Sequence, residues 1–263
     1  MDLGLRGRVA IVGGGSKGLG RACADSLAQE GANLVICSRN ADDLDRAAAE
    51  IRDTAGVDVL TVPGDLTRLE DIQTLVRRAI EHFGRLDVLV NNSGGPPAGR
   101  AADTTEEVWH QAIDMALLFF IRMSRESVPH MKRGGWGRIV NILASSVFQP
   151  IDNLVTSGVT RMGAVAYAKS LSDEVGRDNI LVNNVAPGYL LTGRMLHIFE
   201  TRSQETGSSL EDLLQAHSAT IPLGRLGRPE ELGYLVAFLS SEKNSYTTGS
   251  TILVDGGVVR SVM

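Results

Sequence analysis

Seven short runs of nearly continuous apolar residues punctuate the chain. They are RVAIV at 8–12, NLVICS at 33–38, DVLTV at 58–62, RLDVLVN at 85–91, GRIVNI at 137–142, ILVNNVA at 180–186 and STILVD at 250–255. None alternates strictly between apolar and polar positions, so each reads as a strand covered on both faces. Between them lie longer segments with helical spacing, at 18–30, 41–55, 68–82, 105–132, 154–176 and 228–240. Strand–helix alternation repeated six times predicts an α/β protein: a doubly wound parallel sheet of about seven strands with helices on both faces. No Pro/Gly/Ser-rich linker divides the chain, and 1–263 reads as a single domain.

One stretch breaks the rhythm. From Tyr189 to about Pro222 more than thirty residues join a strand to a late helix, with polar runs such as ETRSQETGSS. Connections of this length in compact domains are usually binding loops or lids. Ligands of open α/β sheets bind beyond the carboxyl ends of the strands, where this segment begins. We expect a substrate lid at about 189–222.

Composition narrows the setting. The 263 residues are 43% hydrophobic, enough for a sizeable core, and carry a net charge of −5 with both signs interspersed. That balance argues against nucleic-acid or membrane-surface partners. No basic start with a long apolar run opens the chain, and no apolar run reaches the roughly 20 residues of a spanning helix. Cys23 and Cys37 lack metal-ligand spacing and read as free core thiols in a reducing compartment, so we expect a cytoplasmic protein without a metal site.

Candidate chemistry begins with VGGGSKGLGRA at 12–22, directly after the first strand and opening a helix. Glycines there permit a tight turn and close backbone approach, leaving the helix amino terminus to face a pyrophosphate, as in Rossmann-type sheets. Two registers fit: Gly13, Gly15 and Gly18, or Gly14, Gly18 and Gly20. Ser16, Lys17 and Leu19 complete the loop. At the end of the second strand, where an NAD site places a carboxylate, stand Ser38 and Arg39. Arg39 with Lys17 suits a 2′-phosphate, which points to NADP(H), with NAD(H) the second choice.

With these residues the chain resembles the short-chain dehydrogenase/reductase family, particularly its 3-oxoacyl-[acyl-carrier-protein] reductase-like branch, from about residue 6 to 257. Gly14, Gly18 and Gly20 match the family's spaced glycines, with Gly13 in place of its usual threonine. Asp65-Leu66 stands where the family holds the adenine ring. Asn91-Asn92-Ser93-Gly94 matches its NNAG segment, and NNVAPG at 183–188, with Pro187 and Gly188, together with Thr192 matches the segment passing the nicotinamide. Val254 through Gly257 match the terminal strand. The resemblance implies a carbonyl–alcohol oxidoreductase acting on a small carbonyl compound or acyl thioester, assembled as a homotetramer or, failing that, a dimer.

The resemblance also implies a catalytic Asn, Ser, Tyr and Lys, and here the chain departs from it. Counting from KSLSDEV and ILVN, the tyrosine position holds Ser157 and the lysine position Arg161; the serine position falls on Ala144 and the asparagine position on Ala116. A one-residue shift brings Ser145 into the serine position. Tyr167 and Lys169 are two apart, so they point to different faces, and they lie about 15 Å along the helix from Ser157. Serine is a far weaker acid than a phenol, and arginine stays protonated. Ser157 and Arg161 still share one helical face, so Arg161 can bond the nicotinamide ribose while Ser145 or Ser157 donates to an oxygen.

Two readings therefore stand. One is an NADP(H)-dependent oxidoreductase with a non-standard active site built on Ser145, Ser157 and Arg161. The other is a dinucleotide-binding pseudoenzyme with a regulatory or scaffold role. Lesser candidates are weaker: Tyr189 either reaches the nicotinamide side or packs at the lid base, His197 is solvated or in the core, and Asp152 and Asn153 cap the helix that follows. That helix carries Val155, Val159, Met162 and Ala166 on several faces, more than one sheet face can bury, which marks it as an assembly surface.

Overall fold

In the computed structural model, which describes residues 1–262, each apolar run forms a strand. β1 (Val9–Gly13), β2 (Asn33–Ser38), β3 (Val59–Pro63), β4 (Val88–Asn91), β5 (Gly137–Ile142), β6 (Ile180–Pro187) and β7 (Thr251–Val254) lie in one parallel sheet, ordered β3-β2-β1-β4-β5-β6-β7. The order reverses between β1 and β4. That crevice, at the carboxyl ends, is where ligands of such sheets bind.

The helices are α1 (Gly18–Gln29), α2 (Ala41–Ala55), α3 (Leu69–Phe83), α4 (Glu106–Ile113), α5 (Phe119–Gly134), α6 (Val155–Val175), α7 (Gly193–Thr206), α8 (Leu210–Ser218) and α9 (Pro229–Leu239). The missing alternation in the strands now has its cause. In β1, Ala10 and Val12 pack with Leu27 of α1, Leu44 of α2 and Leu232 of α9, whereas Val9 and Ile11 pack with Ile72 of α3, Phe120 of α5 and Ala168 of α6. Both faces are buried, and each large aliphatic side chain so buried contributes roughly 1.5–3 kcal/mol.

Three local expectations need correction. The helix expected at 105–132 is interrupted: Asp114–Leu118 form a π-turn, closed by Phe119 N–H donating to Asp114 O, five residues back. Neither Asp152 nor Asn153 caps α6. Asn153 takes a left-handed conformation (φ 60°) and its carbonyl accepts from Gly99 N–H at 2.8 Å, while Leu154 occupies the cap position without a side-chain bond. The expected long loop after β6 is largely helical, because Thr192 caps α7 and Ser209 caps α8 through their hydroxyls.

Beneath the crevice runs a row of buried side-chain amides. Asn91, Asn141 and Asn184 are register partners on β4, β5 and β6. Asn91 Nδ2 donates to Asn141 Oδ1 and Asn141 Nδ2 to Asn184 Oδ1, both at 2.8 Å; Asn184 Nδ2 then donates to Thr251 Oγ1 on β7 at 3.0 Å. Truncating the middle member strands a polar atom on either side, at ~1–3 kcal/mol each. Asn141→Leu should therefore lower unfolding free energy by ~2–4 kcal/mol in chemical denaturation, more than an equally buried Ile→Val at roughly 0.5–1.5 kcal/mol.

Candidate active site

The glycine turn is built by backbone contact. A Cβ at Gly20 would lie 2.3 Å from Gly14 O and 2.7 Å from Asn92 Nδ2, and one at Gly13 would lie 2.6 Å from Asn92 O. Asn92 holds the turn by donating from Nδ2 to Gly13 O at 3.0 Å. Gly14 and Gly18 have φ of +61° and +58°, which supports the register Gly14, Gly18, Gly20; Gly15 is also required, since a Cβ there would meet Ile36 at 2.8 Å. α1 then begins without a side-chain cap and without an acidic residue in its first turn. Its free amide N–H groups and the positive end of its dipole suit a pyrophosphate.

Beside the turn is a cavity of about 420 Å³, lined by Gly14, Ser38, Arg39, Asp65, Leu66, Asn92, Ser93 and Gly94. Eight of the residues expected around a dinucleotide thus share one space. Gln111, Asp114, Met115 and Phe119 close it. Asp114 and Met115 sit in the π-turn, between Gln111 of α4 and Phe119 of α5, and a π-turn is invisible to a 3.6-residue repeat. Ser93 Oγ fastens the π-turn by donating to Met115 O at 3.1 Å. Asp65 is structural at its carboxylate: it accepts from the backbone N–H and the hydroxyl of Thr67 at 3.0 and 2.8 Å, which hold it below the usual carboxylate range.

The two cations at the mouth differ. Lys17 Nζ is ion-paired with Asp43 at 2.6 Å, and that contact, with Arg46, lowers the Asp43 carboxyl. Arg39 has no ion pair among the described residues. Ser16 Oγ donates to Ser38 Oγ at 3.1 Å, tying the glycine turn to the end of β2. Thr192 stands 3.9 Å from where a Gly18 Cβ would be, and Gly188 N–H donates to Val254 O at 3.0 Å, so Pro187, Gly188 and Thr192 border the same crevice.

At the carboxyl end of β5, Ser157 and Arg161 are both buried on α6. The hydroxyl facing Ser157 belongs to Ser146, with the two Oγ atoms 3.4 Å apart. Counting along the chain puts Ala144 at the serine position and Ser145 there only after a shift of one residue. Ser145–Val147 form a 3₁₀ turn, whose three residues per turn send neighbouring side chains in different directions. The Ser-Ser pair was the one available signal.

Arg161 is 7% exposed, donates from Nη1 to Leu143 O, and leaves Nε buried without a partner. Burial, then the nearby charge of Arg194, pushes its guanidinium down to about 10, so it remains a cation at neutral pH. Arg194, on α7, reaches across to β4: a Cβ at Gly95 would lie 3.1 Å from its Nη1. Ala116, within the π-turn, is fully buried and brings no polar group.

A larger, open groove of about 1000 Å³ runs between the loop at 99–101, the segment 146–155 and α6. It meets the buried serines only through Ser146 and Gly158, so it approaches the reacting region from the side. Across the crevice His217 of α8 packs between Phe199 of α7 and Tyr189, which follows β6, with ring centroids 5.3 and 4.2 Å away. His197 is exposed on α7. Tyr167 sits half-buried with its hydroxyl toward Ser124, on another part of α6.

This architecture is shared with proteins of known activity. A family model described as enoyl-(acyl carrier protein) reductase matches residues 14–259. Dehydrogenase/reductase SDR family member 4 from Oryctolagus cuniculus is 35% identical over 254 residues, covering 96% of this chain and 94% of its own length. The 3-oxoacyl-[acyl-carrier-protein] reductase of Aquifex aeolicus is 32% identical over 258 residues, 98% of this chain and all of its own. L-sorbose reductase from Gluconobacter frateurii, solved with NADPH and L-sorbose, superposes with a TM-score of 0.97 at 32% identity over the full length of both chains. With the reversed sheet order, the glycine turn and the cavity beside it, these likenesses place the chain in the short-chain dehydrogenase/reductase family of oxidoreductases.

Proposed function

We propose that the protein is an NADP(H)-dependent oxidoreductase interconverting a carbonyl and a hydroxyl, with a non-standard active site. The observation that carries this is the 420 Å³ cavity, in which eight residues expected at a dinucleotide meet. The reductase relatives support it, two of them solved with NADPH.

Each residue then has a task. The turn at Gly14–Gly20 and the first N–H groups of α1 bind the pyrophosphate, with Ser16, Lys17 and Leu19 framing it. Ser38 and Arg39 take the 2′-phosphate; Lys17, held by Asp43, adds field rather than a direct contact. Asp65 and Leu66 bound the adenine, and Asn92, Ser93, Gly94, Pro187, Gly188 and Thr192 line the way to the nicotinamide. Arg161 anchors the nicotinamide ribose. NADPH supplies a hydride when bound. Ser157 and Ser146, with Ser145 on the same turn, hold the substrate oxygen or a water that delivers the proton, because a serine hydroxyl is too weak an acid to deliver it alone. α7 and α8 form the lid. The two buried free thiols, Cys23 and Cys37, suit a reducing, cytoplasmic site of action.

A pseudoenzyme remains the second reading, and one observation favours it: the tyrosines nearest the site, Tyr167 and Tyr189, are engaged with Ser124 and His217, so no phenol stands in for the missing acid. NADPH oxidation against a panel of oxo compounds, 3-oxoacyl thioesters included, separates the two readings. Turnover with none of them, despite tight NADPH binding, would leave only the second.

The 2′-phosphate assignment predicts that Arg39→Asp weakens NADPH binding by about 10- to 100-fold, the worth of one charge-assisted contact, and reverses the preference over NADH. Equal dissociation constants for both cofactors in the unaltered protein would refute it. Ser157→Tyr with Arg161→Lys should raise carbonyl reduction at least about tenfold by restoring an acidic phenol beside an ammonium. If Ser157→Ala abolishes turnover with cofactor affinity unchanged, Ser157 delivers the proton itself and the water-mediated role given to it here is wrong. Val159 (56% exposed) and Met162 (49%) form an apolar stripe on α6, and we propose that it is covered by another copy in a homotetramer. Val159→Glu with Met162→Glu should then reduce the mass measured by light scattering, and a monomeric mass for the unaltered protein would remove the proposal.

A further inference from the structure

The charge at the reacting end of the crevice does not balance. Arg161 is buried beneath the carboxyl end of β5, and no carboxylate among the described residues pairs with it. The charged group that bears on it is a second cation, Arg194, which extends from α7 over Gly95 just past β4. Arg194 likewise has no hydrogen bond or ion pair to any described residue. β4 and β5 are neighbours in the sheet, so both guanidinium groups belong to the same end of the crevice, where Arg194 bears on Arg161. Removing an unpaired cation from water costs several kcal/mol, and a second cation beside it adds to that cost. The structure repays it only when an anion arrives.

On the functional reading above, the cofactor does not bring that anion. Its phosphates belong to the glycine turn, the first turn of α1 and Arg39. Its nicotinamide end carries no negative charge, and in the oxidised state it is itself a cation. We propose that Arg161 and Arg194 form a subsite for a substrate carboxylate, so that the substrate is an oxo acid with its carboxylate one or two carbons from the reacting carbonyl. Arg161 Nε, buried and without a partner, and the planar fork of Arg194 supply donors of the right kind for a carboxylate. Because Arg194 rides on the lid helix α7, the carboxylate also draws the lid onto the crevice. Reduction forms a C–H bond with hydride from NADPH and an O–H bond with a proton from water, leaving a hydroxy acid and NADP⁺.

The test uses the full-length protein loaded with NADPH. Calorimetry compares oxamate with oxamide, inert molecules of nearly equal shape that differ in charge, and steady-state kinetics compare 2-oxo and 3-oxo acids with their methyl esters. We expect oxamate to bind at least about tenfold more tightly than oxamide, and acids to exceed esters in kcat/KM by a similar factor. Arg194→Gln should bring both ratios near one while leaving NADPH affinity and the rates with esters within about twofold. Equal binding of oxamate and oxamide, or ratios unmoved by Arg194→Gln, would overturn the proposal. So would an equal loss of NADPH affinity in that variant, which would assign the pair to the pyrophosphate. Failure to reduce any oxo compound would refute the functional reading, and the oxamate–oxamide comparison would still decide whether the subsite exists.

Discussion

Asn91, Asn141 and Asn184 pass one hydrogen bond to the next across three neighbouring strands and on to Thr251. Buried amides have no acceptable alternative partner, so a slip of one residue in any of these strands would turn an amide out of the row and leave its neighbours unpaired. The carboxyl edge of the sheet is thereby held in one register. Everything with chemical interest stands on that edge: Asn92 and Ser93 follow β4, the serine turn follows β5, and Pro187 ends β6. The row costs hydrophobic burial in the middle of a core. It returns a rigid platform under a crevice whose other wall is made of loops and helix ends.

On that platform the two ends of the crevice use charge differently. At the β1–β2 end, positive groups are moderated: Asp43 holds Lys17, Asp65 lies near Arg39, and the dipole of α1 is left open. A phosphate can bind there without the empty site storing much unfavourable charge. At the β5 end no carboxylate among the described residues pairs with Arg161 or Arg194. Surface screening is weak around a buried guanidinium, so this end is selective for a ligand that brings negative charge.

The reacting groups themselves are modest. Two serine hydroxyls 3.4 Å apart and a guanidinium can orient an oxygen and stabilise charge on it, but they give up a proton only through water. Such a site depends on positioning more than on acidity. The π-turn at Asp114–Leu118 serves that end, since it bends α4 into α5 so that Met115 and Phe119 close the cofactor cavity while Ala116 fills the core.

The sequence by itself determined the strands, the helices and their alternation, because a sheet buried on both faces demands apolar residues at nearly every strand position. It also located the glycine turn after β1, leaving two registers between which the backbone contacts at Gly14 and Gly20 decided, and it located Ser38, Arg39, Ser157 and Arg161 relative to that frame. What it left undecided depended on contacts between distant segments. Which serine faces Ser157 was decided by a 3₁₀ turn, and whether Lys17 is free was decided by Asp43 on another helix. Asn153 became a left-handed link to Gly99 rather than a cap, because its carbonyl had a partner more than fifty residues away. Arg194 reads in sequence as one more polar lid residue; only folding carries it from α7 to Gly95 and gives the buried Arg161 a second cation for a neighbour. Local pattern encodes burial and backbone freedom, whereas the balance of charge inside a site is a property of the assembled structure.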